Sequence, residues 1–233
     1  MTILKQKHIS TDLSIKIDGT ELEKCVSYKY LGVFFDEELN WKTQINHVSL
    51  KVSKACGSLA KLRHCLEVDT LREVYHALIH SYLRYGLIAW GSATKTALQP
   101  LRTIINHAIR LMCFAPYGAI DITPLYEILD ILDLDSTYKL ELGKFGFRQK
   151  RGTLPVSIAN YFHFRNNPQH GYNLRSQTRP REPQIVHRTA SGKRSIHFRG
   201  SELWTEVPDE IKTAQSPKLF KKLYKLHLLP STE

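Results

Sequence analysis

Two acidic clusters and one histidine pair are the places where this sequence could do bond chemistry. Asp36-Glu37-Glu38 stands between an apolar run and an amphipathic stretch. Clustered carboxylates can hold two divalent ions for phosphoryl transfer. Acids at that position also serve turns and the positive end of a following helix, which is the reading we adopt. Asp130, Asp133 and Asp135 surround a helix break, where the same reading applies. His76 and His80 are four apart on an expected helix, the spacing of two zinc ligands. The residues between them are Ala77, Leu78 and Ile79, so the glutamate of a zinc-peptidase helix is missing, and both histidines are read as flanking the core. There is no Gly-x-Ser-x-Gly nucleophile box and no Gly-rich phosphate loop ending in Gly-Lys-Ser/Thr. Cys25, Cys56, Cys65 and Cys113 form no Cys-x-x-Cys pair, which leaves four reduced thiols and no zinc site.

The strongest chemical signal is charge. The chain has 233 residues and a net charge of +11. Between Lys144 and Arg199 lie twelve basic residues (Lys144, Arg148, Lys150, Arg151, Arg165, Arg175, Arg179, Arg181, Arg188, Lys193, Arg194 and Arg199) against one acid, Glu182. That segment alone carries a charge equal to the chain's whole excess. Phe145, Phe147, Tyr161, Phe162, Phe164, Tyr172 and Phe198 are interleaved with the cations. Cations meet phosphates and exposed rings stack on unpaired bases, so RNA or DNA is the expected partner. The alternative is that the rings are core and the cations a solubilising face. No stretch approaches a bilayer span and the N-terminus has no secretory pattern, so an intracellular place, nucleus or cytoplasm, is expected.

The elements that must carry these residues are legible as patterns. Leu13 to Ile17 alternates, Asp18-Gly19 is a tight-turn pair, and Leu22 to Val26 is expected to return as the second strand. Tyr30 to Phe35 reads as a strand buried on both faces. Helical spacing follows at Ile45, Val48, Val52, Cys56, Leu59 and Leu62, capped by Asn40 or Thr43. A second helix uses Leu71, Val74, Tyr75, Leu78, Ile79 and Tyr82, and a third starts near Pro100. Thr123 caps a short helix, and Asp135 or Ser136 caps another through Phe147. Phe164 to Gly192 reads as a basic loop, Ile185–His187 and Ser195–Phe198 as a hairpin, Ser201–Trp204 as a helical turn, and Ser216-Pro217 as the cap of a last helix.

Five blocks then resemble one family in its own order. They are Lys29-Tyr-Leu-Gly-Val33 with Asp36, Leu39 and Trp41; Leu78-Ile-His-Ser-Tyr-Leu-Arg-Tyr-Gly86 with Trp90-Gly91; Leu98, Pro100-Leu101 and Ala108-Ile-Arg110; Tyr172-Asn-Leu-Arg-Ser176; and Gly200, Leu203-Trp204, Pro208, Ile211, Ser216 and Phe220-Lys221-Lys222. Together they resemble the C-terminal portion of non-LTR (LINE-type, jockey/CR1-like) retrotransposon reverse transcriptases, from the end of the palm through the thumb. Leu174 and Thr205 depart from the family's usual threonine and asparagine.

The resemblance implies an RNA-directed DNA polymerase whose fingers, most of the palm and aspartate box lie upstream of Tyr30-Leu31-Gly32. The chain alone is therefore expected to be truncated and inactive, with no catalytic residue and no cofactor of its own, Mg²⁺ belonging to the full-length enzyme. Tyr30, Leu31 and Gly32 match the hairpin near the primer terminus, and the helices to Phe114 match the thumb that holds a template–primer duplex. Missing palm and fingers are implied partners. The expected fold is mainly α with a small N-terminal β hairpin or sheet. Its parts are a palm remnant over 1–41, a thumb-like bundle over 42–115, a connector over 116–163, a basic loop and hairpin over 164–200, and C-terminal helices over 201–233. Two further readings stay open: a free-standing RNA- or DNA-binding module, and an inert transposon remnant.

Overall fold

The computed structural model describes residues 16–21, 23, 25–116, 121–161 and 190–229. The chain is mainly helical after two small hairpins, as expected. Strands β1 (Lys16–Ile17) and β2 (Thr20–Glu21) pair in the register Ile17↔Thr20. Asp18 and Gly19 both have positive φ, 49° and 79°, the geometry of a two-residue hairpin turn. Such a turn sends the very next residue back along the sheet, so the return strand is Thr20–Glu21, and of the expected Leu22–Val26 the described residues Glu23, Cys25 and Val26 lie outside any strand.

The Tyr30–Phe35 run is two strands rather than one. Strands β3 (Ser27–Tyr30) and β4 (Val33–Asp36) pair with Tyr30 opposite Val33. Leu31 and Gly32 turn between them at φ 46° and 82°. All of β3 is exposed, and of β4 only Val33 is fully buried. Buried Gln44 accepts from the Phe34 amide at 3.0 Å, which pins β4 to the first helix.

Helix α1 (Lys42–Leu62) packs along α5 (Lys95–Met112). The contact is made by the heptad-like set Ile45, Val48, Val52, Cys56 and Leu59 against Leu98, Leu101, Ile105, Ala108 and Met112. Trp41 occupies the cap position of α1 at φ 66°, and Asn40 Oδ1 accepts from the Lys42 amide at 3.0 Å. Thr43 lies inside the helix. Helix α5 begins well before Pro100, because Thr94 accepts from the Ala97 amide and sets the start. Between these two helices run α2 (Val68–Tyr75), a π-helical segment His76–His80 and α3 (Ser81–Arg84), continuous with one another. The wider π turn keeps Leu71, Tyr75, Ile79 and Leu83, each four apart, on the core side. Leu78 and Tyr82, expected in the core, face solvent instead. Gly86 at φ 64° then starts the short α4 (Leu87–Trp90).

Two of the expected N-cap sites lie inside the helices they were expected to open. Asp121 accepts from the amide and hydroxyl of Thr123, which is itself inside α6 (Thr123–Ile128). Asp133, rather than Asp135 or Ser136, caps α7 (Leu134–Lys150) through the Ser136 amide at 2.8 Å. Helix α7 is buried on two sides. Leu134, Tyr138 and Leu142 join the core just described, while Leu140 and Phe147 join a second cluster. That second cluster is built by α10 (Ile196–Glu206), α11 (Asp209–Lys212) and α12 (Pro217–Leu228), after short helices α8 (Val156–Tyr161) and α9 (Ala190–Lys193).

Gly143 and Gly146 let these helices approach: a Cβ would stand 2.5 Å from Tyr224 and 2.8 Å from Trp204. Ser195–Phe198 is no strand. Ser195 accepts from the Phe198 amide and caps α10, so Ser201–Trp204 is the middle of a three-turn helix. Ser191-Gly192 lies in α9, and Ile185–His187, like 162–189 generally, lies outside the described residues. Ser216 caps α12 as expected. Among the described residues no helix is long and apolar enough to cross a membrane.

Candidate nucleic-acid interface

The Tyr30-Leu31-Gly32 turn projects from the fold and is held at its base. Tyr30 is 60% and Leu31 73% exposed. The Tyr85 hydroxyl donates to the Leu31 carbonyl, and the Tyr85 ring lies where a Cβ on Gly32 would come within 3.4 Å. Trp90 Nε1 donates to the Tyr85 carbonyl at 2.9 Å. A Cβ on Gly86 would meet Val33 at 2.9 Å. The Tyr-Leu-Gly and Tyr-Gly…Trp-Gly blocks, 54 residues apart in sequence at the Tyr85–Leu31 bond, are thus two halves of one joint. Leu31 keeps its left-handed backbone because its carbonyl is bonded there. The joint leaves Tyr28, Tyr30 and Leu31 outward, beside the exposed Tyr85.

The cations expected to bind phosphate are divided in their surroundings. Arg148, Lys150 and Arg151 end α7, where positive charge also complements the helix dipole. Arg148 and Lys150 are exposed, Lys150 at the crease between α7 and α10. Arg151 is committed to structure: it donates to the Ala214 carbonyl and covers the Phe147 ring at 5.1 Å. Lys193 is exposed and Arg194 half-buried on α9 and just after it. Arg199 pairs with Glu202 at 2.7 Å, one turn on. Arg165, Arg175, Arg179, Arg181 and Arg188 lie outside the described residues, as do Phe162, Phe164 and Tyr172.

Phe147 offers no stacking face. It is 1% exposed and stacks on Phe220 at 4.5 Å, because α12 covers it. Phe145 and Phe198 are half-buried.

The acidic clusters are engaged in the fold. Asp36 Oδ1 accepts from the Asn40 amide at 2.7 Å and Glu38 from the Asn40 side chain at 3.0 Å. Asp130 pairs with Lys225, Asp133 caps α7, and Asp135 pairs with Arg102 at 2.7 Å. His76 and His80 lie edge to face at 5.0 Å. Among the described residues no group of three or more His, Cys, Asp and Glu side chains converges as a metal site. Burial, then His76 and Arg84, push His80 down to about 4. Burial, then Lys225 and Arg72, lower His76 as well.

The basic segment that ends at Arg199 leaves out α12, whose Lys218, Lys221 and Lys222 are exposed. The signal that could have found them is their spacing, three and four apart on one helix.

Comparison with known proteins gives the same direction as the motif blocks. Over 107 residues the chain is 27% identical to the RNA-directed DNA polymerase from mobile element jockey of Drosophila funebris. It is 25% identical over the same length to that of Drosophila melanogaster. This chain is related in sequence to retrotransposon reverse transcriptases. Each jockey match takes in 44% of the chain and 12% of the relative. The probable RNA-directed DNA polymerase from transposon BS of Drosophila melanogaster is 23% identical over 140 residues, which is 59% of the chain and 15% of the relative. The matches therefore span only a small part of these curated relatives. No family model and no solved structure matches the chain.

Proposed function

We propose that this chain is a nucleic-acid-holding part of a retrotransposon reverse transcriptase, that it grips a template–primer duplex, and that it adds no nucleotide on its own. The observation that carries the reading is its relation to RNA-directed DNA polymerases. Two features support it. The entire charge excess is concentrated between Lys144 and Arg199. Among the described acids of the two clusters, Asp36 accepts from the Asn40 amide, Asp133 caps α7, and Asp130 and Asp135 are held in ion pairs. In this reading the helices around α1 and α5 form a rigid support, the Tyr30-Leu31 tip reaches toward the primer end, and Arg148, Lys150 and Lys193 meet phosphates. The protein works inside the cell, in the nucleus or cytoplasm, beside the palm and fingers of a complete enzyme.

Two measurements test this. Fluorescence anisotropy on a labelled primer–template duplex should show binding that weakens along a straight log–log salt line, with about 0.9 of slope per phosphate contact. No binding at low salt would refute the grip. Primer extension with Mg²⁺ or Mn²⁺ should show no incorporation, and incorporation would refute the second half of the proposal. A free-standing RNA- or DNA-binding module is favoured by the same charge asymmetry, and would bind single strands as tightly as the duplex.

A further inference from the structure

Helix α12 begins against the usual electrostatic preference. The N-terminal end of a helix carries partial positive charge and favours acids. Helix α12 has no acid in its first turn, and its first two turns hold Lys218, Lys221 and Lys222. No carboxylate occurs anywhere on the helix. Positions 218, 221, 222 and 225 share one side of the helix, so the like charges repel one another as well as the dipole. Lys225 is neutralised: it donates to the Asp130 carboxylate at 2.6 Å and to the Asp130 carbonyl at 2.8 Å. Lys218, Lys221 and Lys222 are exposed, and among the described residues no ion pair engages them. A local rule broken at several neighbouring positions without internal compensation marks a place kept for something outside the fold.

Lys221 is close enough to His80, and Lys225 to His76, for each cation to press on the neighbouring imidazole. Arg72 and Arg84 face the same two histidines, with Asp130 and Glu141 as the nearby acids. Glu141 is held by Arg84 and Lys144, each at 2.7 Å.

We propose that Lys218, Lys221 and Lys222 form a docking ridge for the phosphate backbone of a nucleic acid, in addition to the Lys144–Arg199 segment. The inference rests on the nucleic-acid reading above and adds a second contact surface to it. A membrane surface fits less well. An interfacial helix must bury its apolar face in lipid, and the aromatic residues of α12 are already covered: Phe220 stacks on Phe147 and Tyr224 packs over Gly143, which leaves Leu219 and Leu226 exposed.

The test uses the full chain and two triple variants that remove the same charge. K218Q/K221Q/K222Q alters the ridge, and K51Q/K54Q/K61Q alters exposed lysines of α1. Each is titrated into a labelled primer–template duplex at several salt concentrations. The ridge variant should lose about 2–3 units of log–log salt slope, near 0.9 for each contact removed, while the α1 variant keeps the wild-type slope. K218R/K221R/K222R should also keep it. A ridge variant with the wild-type slope overturns this inference and leaves the grip of the Lys144–Arg199 segment standing. Equal losses in both triple variants overturn it too, since net charge alone would then explain them. Absence of any wild-type binding overturns both readings. Ridge-dependent binding to anionic phospholipid vesicles as tight as to duplex would assign the ridge to a membrane instead. Should the triple variant fail to fold, the single variants K218Q, K221Q and K222Q carry the test, each expected to lose about 0.9 of slope.

Discussion

Gly86 and Gly57 show how far one hydrogen's worth of space decides tolerance in this chain. Gly86 has φ 64°, and a Cβ there would stand 2.9 Å from Val33. Gly86→Ala should therefore cost about 1–2 kcal/mol for the left-handed backbone alone, with further loss as the β3–β4 hairpin shifts. Gly57 is inside α1, and nothing lies within 4 Å of the place a methyl group would take. Gly57→Ala should instead gain about 0.5–1 kcal/mol. Urea denaturation of the two variants checks both signs, and a neutral Gly86→Ala would show that the hairpin does not depend on this joint. The same scale explains Tyr85, which looks like one more exposed ring until its hydroxyl is followed to the Leu31 carbonyl.

Helix α7 is the element on which the two core clusters meet. One side supplies Tyr138 and Leu142, and the other supplies Leu140 and Phe147. Its lack of a single apolar stripe follows from serving both. Gly143 is where α12 comes closest, with Tyr224 2.5 Å from a hypothetical Cβ. Gly143→Ala should push Tyr224 and Phe220 outward and destabilise the protein by about 1–3 kcal/mol, as overpacking of a close helix contact does. Hydrogen exchange should show amides of α12 losing protection while those of α1 and α5 keep theirs. Uniform loss across all three would mean that the second cluster has no separate cohesion. The π segment His76–His80 acts at this scale too: it sets the phase of α2 and α3 together, so that residues four apart stay buried over three turns.

For the whole molecule, three histidines with lowered pKa, His47, His76 and His80, set an acid limit. His80 is pushed down to about 4 by burial and its cationic neighbours, and His47 and His76 are lowered as well. A histidine whose folded pKa is depressed binds its proton more readily in the unfolded chain. Stability is then full above the unfolded value near 6.5 and declines as pH falls toward 4. Glu141 adds to this below the ordinary carboxylate range. Burial raises it, but hydrogen bonds and charge from Lys144 and Arg84 outweigh burial and hold it low. Urea midpoints should therefore fall between pH 7 and pH 4.5, and His80→Gln should flatten that decline. A midpoint unchanged over the interval would show that none of the three imidazoles is held neutral by the fold.

Much of the fold was legible from local rules. Periodicity placed α1, the core of α5 and α12, and turn chemistry placed Asp18-Gly19 and the Ser216 cap. Each of these depends on residues within a turn or two of one another. The uneven charge and the motif blocks likewise needed only the order of residues. The remainder was set by contacts between distant segments. Leu31-Gly32 became a turn because Tyr85 receives it, Ser195 opened a helix because α10 had α7 to pack on, and Phe147 became core because α12 covers it. The lysines of α12 belonged to a balanced stretch on paper, and became a ridge only when the helix buried its opposite face. Which side of an amphipathic element is left for a partner is decided by what the rest of the chain covers, and that is a property of tertiary packing.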